Sequence, residues 1–375
     1  MTAKKTGAIP THHQTAFVLQ GGGALGSYQA GVYEQLFHTT YQPNWVAGVS
    51  IGAVNAAIIV GNPPERRIAH LLEFWHRVSS SVSSVPLSWD GARAAFNRMS
   101  ALYAAMVGVR GFYRPRIIPA FLETPGSSGS VSVYDAAPLR ATLLELVDFD
   151  LINSKKIRLS VGAVNVETGN SQYFDNFERP IAPEHIMASG ALPPAFAPVF
   201  IDGQAYWDGG IVSNTPLQYV LDSREGADLL VFQVDLFSAR GPVPVDLPGV
   251  LSRQKDIQYS SRTRYTTDTA AKIQNTRQAA RELLLNLPAQ VRRDPGIEEL
   301  QKLLITAPVD IVHLIYRQKT YEHESKDYEF SRASVLEHWQ AGKRDMADTL
   351  EHPEWLHKSG LDDGVSMYDL TRPSP

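Results

Sequence analysis

Gly48-Val49-Ser50-Ile51-Gly52 sets a serine between two glycines at G-x-S-x-G spacing, after the apolar run Trp45–Val49 and before the small-residue run Ile51–Val60. A serine on a tight strand-to-helix turn projects its hydroxyl from the end of a strand, where it can attack an acyl carbon. Glycines on both sides let strand and helix approach without a Cβ clash. A helix beginning at Ile51 aims its positive end and free N–H groups at the same point. A second glycine-rich stretch, Gly21-Gly22-Gly23-Ala24-Leu25-Gly26, follows the apolar run Thr15–Gln20. Gly21, Gly23 and Gly26 fit G-x-G-x-x-G, but a dinucleotide site also needs an acid at the end of the second strand. That strand ends in Val49-Ser50. The stretch therefore reads as an oxyanion hole, in which the N–H groups of Gly22, Gly23 and Ala24, with that of Ile51, face a developing negative charge. One such donor is worth about 2.7–4 kcal/mol.

The serine needs a base. Asp208-Gly209-Gly210 ends a hairpin strand and lies between Tyr206-Trp207 and Ile211-Val212. An Asp-Gly pair is ordinarily a surface turn, but these apolar flanks argue for a carboxylate whose pKa desolvation raises into a useful range. His185 is the alternative, and would make a conventional triad. His313 lies in an apolar strand and reads as a core residue, and His12-His13 as solvated. The histidines form no H-E-x-x-H and no tight ligand cluster, so neither metal nor organic cofactor is expected.

Four segments in order, Gly21–Gly26, Gly48–Gly52, Ala188-Ser-Gly-Ala-Leu-Pro193 and Asp208–Gly210, resemble the motifs of the patatin-like phospholipase family over roughly residues 13–235. The resemblance implies hydrolysis of lipid acyl esters by a Ser–Asp dyad without histidine, with Ser50 as nucleophile and Asp208 as its base. It also implies a three-layer α/β/α, lysophospholipase-like fold. The segment from 251 is similar to the C-terminal extension of a bacterial subgroup. One position departs: where the family's glycine stretch often has Arg or Lys before its last glycine, this chain has Leu25. A charge that could hold a phosphate is then missing, which favours a neutral or short acyl ester over a phospholipid. The rival readings are a nucleotide-binding module built on Gly21–Gly26 and a catalytically idle lipid-binding protein. Transacylation would share the Ser50 chemistry.

The elements that must position these residues alternate strand, turn and helix from the start, as in a mainly parallel sheet with helices on both faces. Ile68, Leu71, Leu72, Trp75 and Val78 form one helical stripe. After a serine-rich linker (Ser79–Ser84), Met99, Leu102, Tyr103 and Met106 form another. These helices read as covering the sheet, or as an apolar cap over a lipid site. Gly126–Ser130 reads as a loop. Strand signals recur at Ile157–Val166, Ser171–Phe174 and Leu229–Val234. From 251 a long helical pattern carries nine Lys+Arg and three Asp+Glu up to Arg293, a solvated face or a contact with anionic membrane. The apolar run Val309–Tyr316 is predicted to join the main sheet, and Ser331–Leu350 to be helical. The expected organisation is an acyl hydrolase domain over 13–250 with a helical cap, and an extension over 251–375 packed on it.

Composition narrows the classes further. The 375 residues are 43% hydrophobic, ordinary for a globular protein with a sizeable core. Thirty-five Lys+Arg against 39 Asp+Glu give a net charge of −4, without the basic footprint of electrostatic nucleic-acid binding. The absence of cysteine excludes a disulfide scaffold, a thiolate metal site and a cysteine nucleophile. Behind Lys4 and Lys5 the first apolar run is only Ala16–Leu19. A signal peptide needs about 7–15 apolar residues and a spanning helix about 20. The sequence thus predicts a cytoplasmic protein whose membrane contact is at most peripheral and transient.

Overall fold

The structure, a computed structural model, describes residues 14–82, 89–127, 129–224, 228–292, 294–297, 300, 308–352 and 365–369. Lys4, Lys5, His12, His13, Ser83, Ser84, Ser128 and Arg293, singled out above singly or within a segment, lie outside the described residues.

A single large sheet is built from β1 (Gln14–Leu19), β2 (Trp45–Val49), β5 (Arg158–Asn165), β6 (Ser171–Asp175), β7 (Val199–Ile201), β8 (Gln204–Asp208), β9 (Leu229–Asp235), β10 (Val309–Ile315) and β11 (Val365–Tyr368). Its order is β11-β10-β9-β1-β2-β5-β8-β7, with β6 also on β5. β3 (Arg114–Pro115) and β4 (Tyr134–Asp135) form a separate antiparallel ribbon. From β11 to β5 every pairing is parallel. Strands buried on both faces read as continuous apolar runs, and β1, β2 and β9 do so.

The two-residue period of β1 sorts its side chains into two cores. Phe17 and Leu19 face a layer that holds α1 (Ser27–Phe37), α2 (Ile51–Val60) and α3 (Pro64–Val78). Ala16 and Val18 face the other side, where Leu217 and Val220 of the helix Leu217–Asp222 close the second core. The 39-residue helix Leu247–Leu285, capped by Asp246 through the Gly249 N–H at 2.8 Å, packs behind that helix. The result is a three-layer α/β/α fold.

The C-terminal part shares the sheet and the core of the first part. β10 runs parallel to β9, and Val312, Leu314 and Trp339 lie in one cluster with Phe17 and Val234. The helix Arg332–Glu351 crosses α1 backbone to backbone. A Cβ on Gly31 would sit 2.0 Å from the Trp339 carbonyl oxygen, and one on Gly342 2.1 Å from that of Tyr28. Trp339 and Lys343 both donate to Glu34 across the contact, at 2.5 and 2.6 Å.

One helix differs from the sequence expectation. In α4 (Asp90–Val107) the stripe Met99, Leu102, Tyr103 and Met106 does not cover the sheet but faces outward. The buried face carries Arg93, Asn97 and Ser100 instead, with Ala101 and Ala104. Partners from the C-terminal part make that burial tolerable: Arg93 donates to Ser334 and Glu337, and Ser100 to Glu329 at 2.5 Å. Buried polar groups with such partners lose little on leaving water.

Candidate active site

Ser50 occupies the turn between β2 and α2 with φ +56°. A non-glycine residue held there stores about 1–3 kcal/mol of strain. The neighbouring glycines make the turn possible: a Cβ on Gly48 would lie 2.3 Å from the Gly52 carbonyl oxygen, and one on Gly52 2.4 Å from that of Leu19. The Ser50 N–H donates to Ser189 Oγ at 2.8 Å, and the Ser189 hydroxyl donates to the Gly162 carbonyl at 2.6 Å. Ser189, fully buried at the end of the helix Pro183–Ser189, thereby ties the turn to β5. Sequence reasoning had Ser189 only within the segment Ala188–Pro193 and gave it no role of its own.

β5 is also what brings Asp208 to Ser50. Val49 registers against Gly162 and Asp208 against the next residue, Ala163. Because β6 takes the opposite edge of β5 at Ala163, β8 lies on the edge that β2 leaves after Val49. The two strands therefore end nose to nose, which sets Ser50 beside the Asp208 carboxylate, both lining one cavity. Asp208 is buried; desolvation pushes its pKa up to about 6, against the smaller downward pull of the Ser50 hydroxyl and the Gly210 N–H. That N–H donates to Oδ1 at 2.7 Å. Gly209 packs on the Gly162 carbonyl, where a Cβ would come within 2.7 Å.

The glycine stretch lies directly over the serine. A Cβ on Gly21 would meet Asn214 Oδ1 at 2.4 Å and Ser50 Cβ at 3.0 Å, and on Gly26 Ile51 Cγ1 at 2.6 Å. Asn214, to which the sequence reading gave no role, clamps Gly21 twice: it accepts the Gly21 N–H at 3.0 Å and donates its own amide to the Gly21 carbonyl at 2.9 Å. Gln20 anchors the strand end. Its side-chain carbonyl accepts the Leu236 and Phe237 N–H groups, and its amide donates to Thr215 and to the Tyr259 carbonyl.

Of the four expected oxyanion donors, Ala24 is displaced. Its N–H donates to the Asp327 carbonyl at 2.7 Å, so it cannot also hold a substrate oxygen. Gly22, Gly23 and Ile51 line the cavity, and their N–H groups take no partner among the described residues. Leu25 is corrected as well. Its side chain is fully buried in the core beneath α1 and lines no part of the cavity, so its apolar character says nothing about the substrate's head group. The nearest route to a conventional triad also fails. His185 Nδ1 is bound to the Ala182 N–H at 2.9 Å, its ring packs edge-on against Phe174, and it does not line the cavity. His313 pairs with Asp235 at 2.7 Å.

Over Ser50 and Asp208 opens a cavity of about 420 Å³, walled largely by aromatic side chains, among them Phe112, Tyr113, Phe196, Phe237 and Phe330. Among the described residues its charged lining residues are Asp208 and Asp327, and no Lys, Arg or His contributes. Tyr259, Asp327, Tyr328 and Phe330 come from the C-terminal part. Lys255 steadies that wall, donating to Asp327 Oδ1 and to the Glu324 carbonyl, each at 2.7 Å. Among the described residues no group of three or more His, Asp or Glu is placed to hold a metal ion, and no helix is long and apolar enough to cross a membrane.

Comparison with known proteins gives two family matches: a model described as patatin-like phospholipase over residues 17–221, and one described as patatin phospholipase over residues 257–361. A cGAMP-activated phospholipase of Pseudomonas aeruginosa is 28% identical over 221 residues, covering 56% of this chain and 55% of that protein. One of Vibrio cholerae is 31% identical over 116 residues, covering 27% of this chain and 32% of that protein. The chain thus spans about half the length, or less, of these relatives. VipD from Legionella pneumophila aligns over 89% of this chain and 68% of its own, with 16% identity and a TM-score of 0.34.

Proposed function

Because the chain belongs to the patatin-like phospholipase family, we propose that it is a serine acyl hydrolase that cleaves carboxylic esters of lipids through a Ser50–Asp208 dyad. The observation that carries this reading is the placement of Ser50 beside a buried carboxylate, both lining one aromatic cavity, with desolvation pushing the carboxylate's pKa up to about 6. A base is useful when its pKa is close to the working pH.

In this mechanism Ser50 Oγ attacks the ester carbonyl carbon while its proton passes to Asp208. The carbonyl oxygen becomes an oxyanion facing the N–H groups of Gly22, Gly23 and Ile51. As the intermediate collapses, the C–O bond to the alcohol breaks and Asp208 returns the proton to the leaving oxygen. The acyl group stays on Ser50. Water then attacks the acyl-enzyme, Asp208 again taking a proton, and the carboxylic acid leaves with Ser50 restored.

The aromatic walls suit an acyl chain. With no cationic side chain lining the cavity among the described residues, an anionic head group belongs at its mouth. Residues 13–250 supply the dyad and residues 251–375 complete the cavity wall. The protein would meet its lipid from a peripheral position, without an organic cofactor or metal.

Fluorophosphonate labelling with peptide mapping by mass spectrometry tests the reading. Wild type should carry the label on Ser50, Ser50→Ala should carry none there, and Asp208→Asn should label at least about a hundredfold more slowly, the low end of general-base effects. A wild-type Ser50 that stays unlabelled while a control serine esterase reacts would remove the dyad.

A further inference from the structure

The outer face of α4 and the segment after it are built for contact. Between residues 91 and 122 the chain has five arginines and no Asp or Glu. Met99, Leu102, Tyr103 and Met106, spaced three and four apart, all point outward from α4, Met106 with 69% of its surface exposed. Beyond β3, Ile117, Ile118, Phe121 and Leu122 are also exposed, Phe121 by 85%. Large apolar side chains left exposed in this number along one segment mark a place of interaction. Arg98 and Arg110 are exposed within the same segment and make no ion pair among the described residues. Arg93 and Arg114 are neutralised by Glu337 and Asp135. The face borders the cavity: Ala105 lies one residue from Met106 and lines it, and the Ala105 carbonyl accepts the hydroxyl of Tyr134, another lining residue, at 2.9 Å.

We propose that this face docks the protein onto an anionic lipid bilayer, with the cavity mouth turned to the interface. An amphipathic helix lying in such an interface buries its apolar side chains near the acyl boundary and leaves its basic residues among the head groups. The segment's one-sided charge fits that occupant. It does not fit a second copy of the chain, because a two-fold contact sets the same patch against itself and would oppose arginines with no carboxylate in the segment to meet them. The purpose of docking, delivery of a lipid ester to Ser50, rests on the hydrolase reading; the binding itself does not.

The test uses the full chain with Ser50→Ala, so that vesicles stay intact, in co-sedimentation with vesicles of phosphatidylcholine alone and of equal parts phosphatidylcholine and phosphatidylglycerol. Binding should favour the anionic vesicles. Each basic residue near such a surface is worth about fivefold in affinity, so Arg98→Glu with Arg110→Glu should weaken binding at least about 25-fold. Met106→Ser with Phe121→Ser should weaken it on both vesicle types. In the Ser50 background both double variants should hydrolyse a short water-soluble ester at the wild-type rate. Vesicle affinity unchanged in both double variants overturns the proposal. So does a dimer, seen by light scattering and broken by both, in a protein that ignores vesicles. Wild type that binds anionic vesicles through this face but cleaves no soluble ester leaves the docking surface standing and removes the hydrolase reading.

Discussion

The main-chain carbonyl of Asp327 accepts the Ala24 N–H at 2.7 Å, and a Cβ on Gly23, where φ is +55°, would lie 2.0 Å from that same oxygen. The glycine loop is thus braced by a residue from the far end of the chain, and the N–H groups of Gly22 and Gly23 are oriented by a contact that the first 250 residues cannot make alone. This explains why a glycine is needed at position 23: its left-handed backbone and the close carbonyl leave no room for a side chain.

The brace depends on Lys255, which holds the Asp327 carboxylate and the Glu324 carbonyl. Lys255→Met should lower kcat on a soluble ester by about tenfold or more, since loss of one well-placed oxyanion donor costs 10²–10³ and partial misplacement costs less. It also leaves the Asp327 carboxylate unpaired in the cavity that holds Asp208. A like charge disfavours ionisation, so the acid limb of the pH–rate profile should move upward. A merely structural role would lower activity without moving that limb.

In the proposed dyad Asp208 sets the pH dependence of the wild type. Its desolvated carboxyl has a pKa of about 6, and only the ionised form can accept the Ser50 proton. Activity should therefore rise as pH increases through about 6 and level off above it, with a slope of one proton. Measurement of kcat/KM on a soluble ester from pH 4.5 to 8.5 checks this. An acid limb centred near the ordinary carboxylate value of 3.8 would mean that water reaches the carboxylate.

Ser189→Ala removes both the acceptor of the Ser50 N–H and the donor to the Gly162 carbonyl. Each buried group left unsatisfied costs about 1–3 kcal/mol, so denaturant unfolding should show a loss of roughly 2–6 kcal/mol. Because the lost bond holds the strained Ser50 backbone, fluorophosphonate labelling should slow in the variant that remains folded. An unchanged labelling rate would show that the glycines alone fix the turn.

Much of this site was legible because its causes are local. Gly48 and Gly52 flank Ser50 within five residues, and the close approach of Gly48 to the Gly52 carbonyl acts across that short span, whereas Gly52 is confined by Leu19 of β1. The apolar runs of β1, β2 and β9 announce buried parallel strands directly. What escaped was decided at long range. Ala24 resembles its glycine neighbours as a donor until Asp327 arrives to take its N–H. Leu25 looked like a missing charge, yet its position faces the core. The apolar stripe of α4 obeys helical periodicity, but Glu329 and Glu337 reward burial of the opposite, polar face. Periodicity identifies a stripe; only tertiary partners decide which way it turns.

The buried Asp208 carboxylate should also carry a stability cost that substitution reveals. Below about pH 3.8 Asp208 is protonated in both folded and unfolded chains, and burial costs it little. As pH rises through the interval up to about 6, the unfolded chain ionises first, so the folded state loses stability until both forms are ionised. The interval of about two pH units corresponds to roughly 3 kcal/mol. Asp208→Asn keeps an oxygen to accept the Gly210 N–H but cannot ionise. It should therefore melt on the order of 5 °C above wild type at pH 8 and close to wild type at pH 3.5, while losing ester hydrolysis at pH 8. Such a gain, present only where the wild-type carboxylate is charged, would tie the burial that makes Asp208 a competent base to the stability the fold gives up for it. A variant that melts below wild type at pH 8 would show the opposite: the carboxylate stabilised by its surroundings, held too far into its ionised form to act as the base.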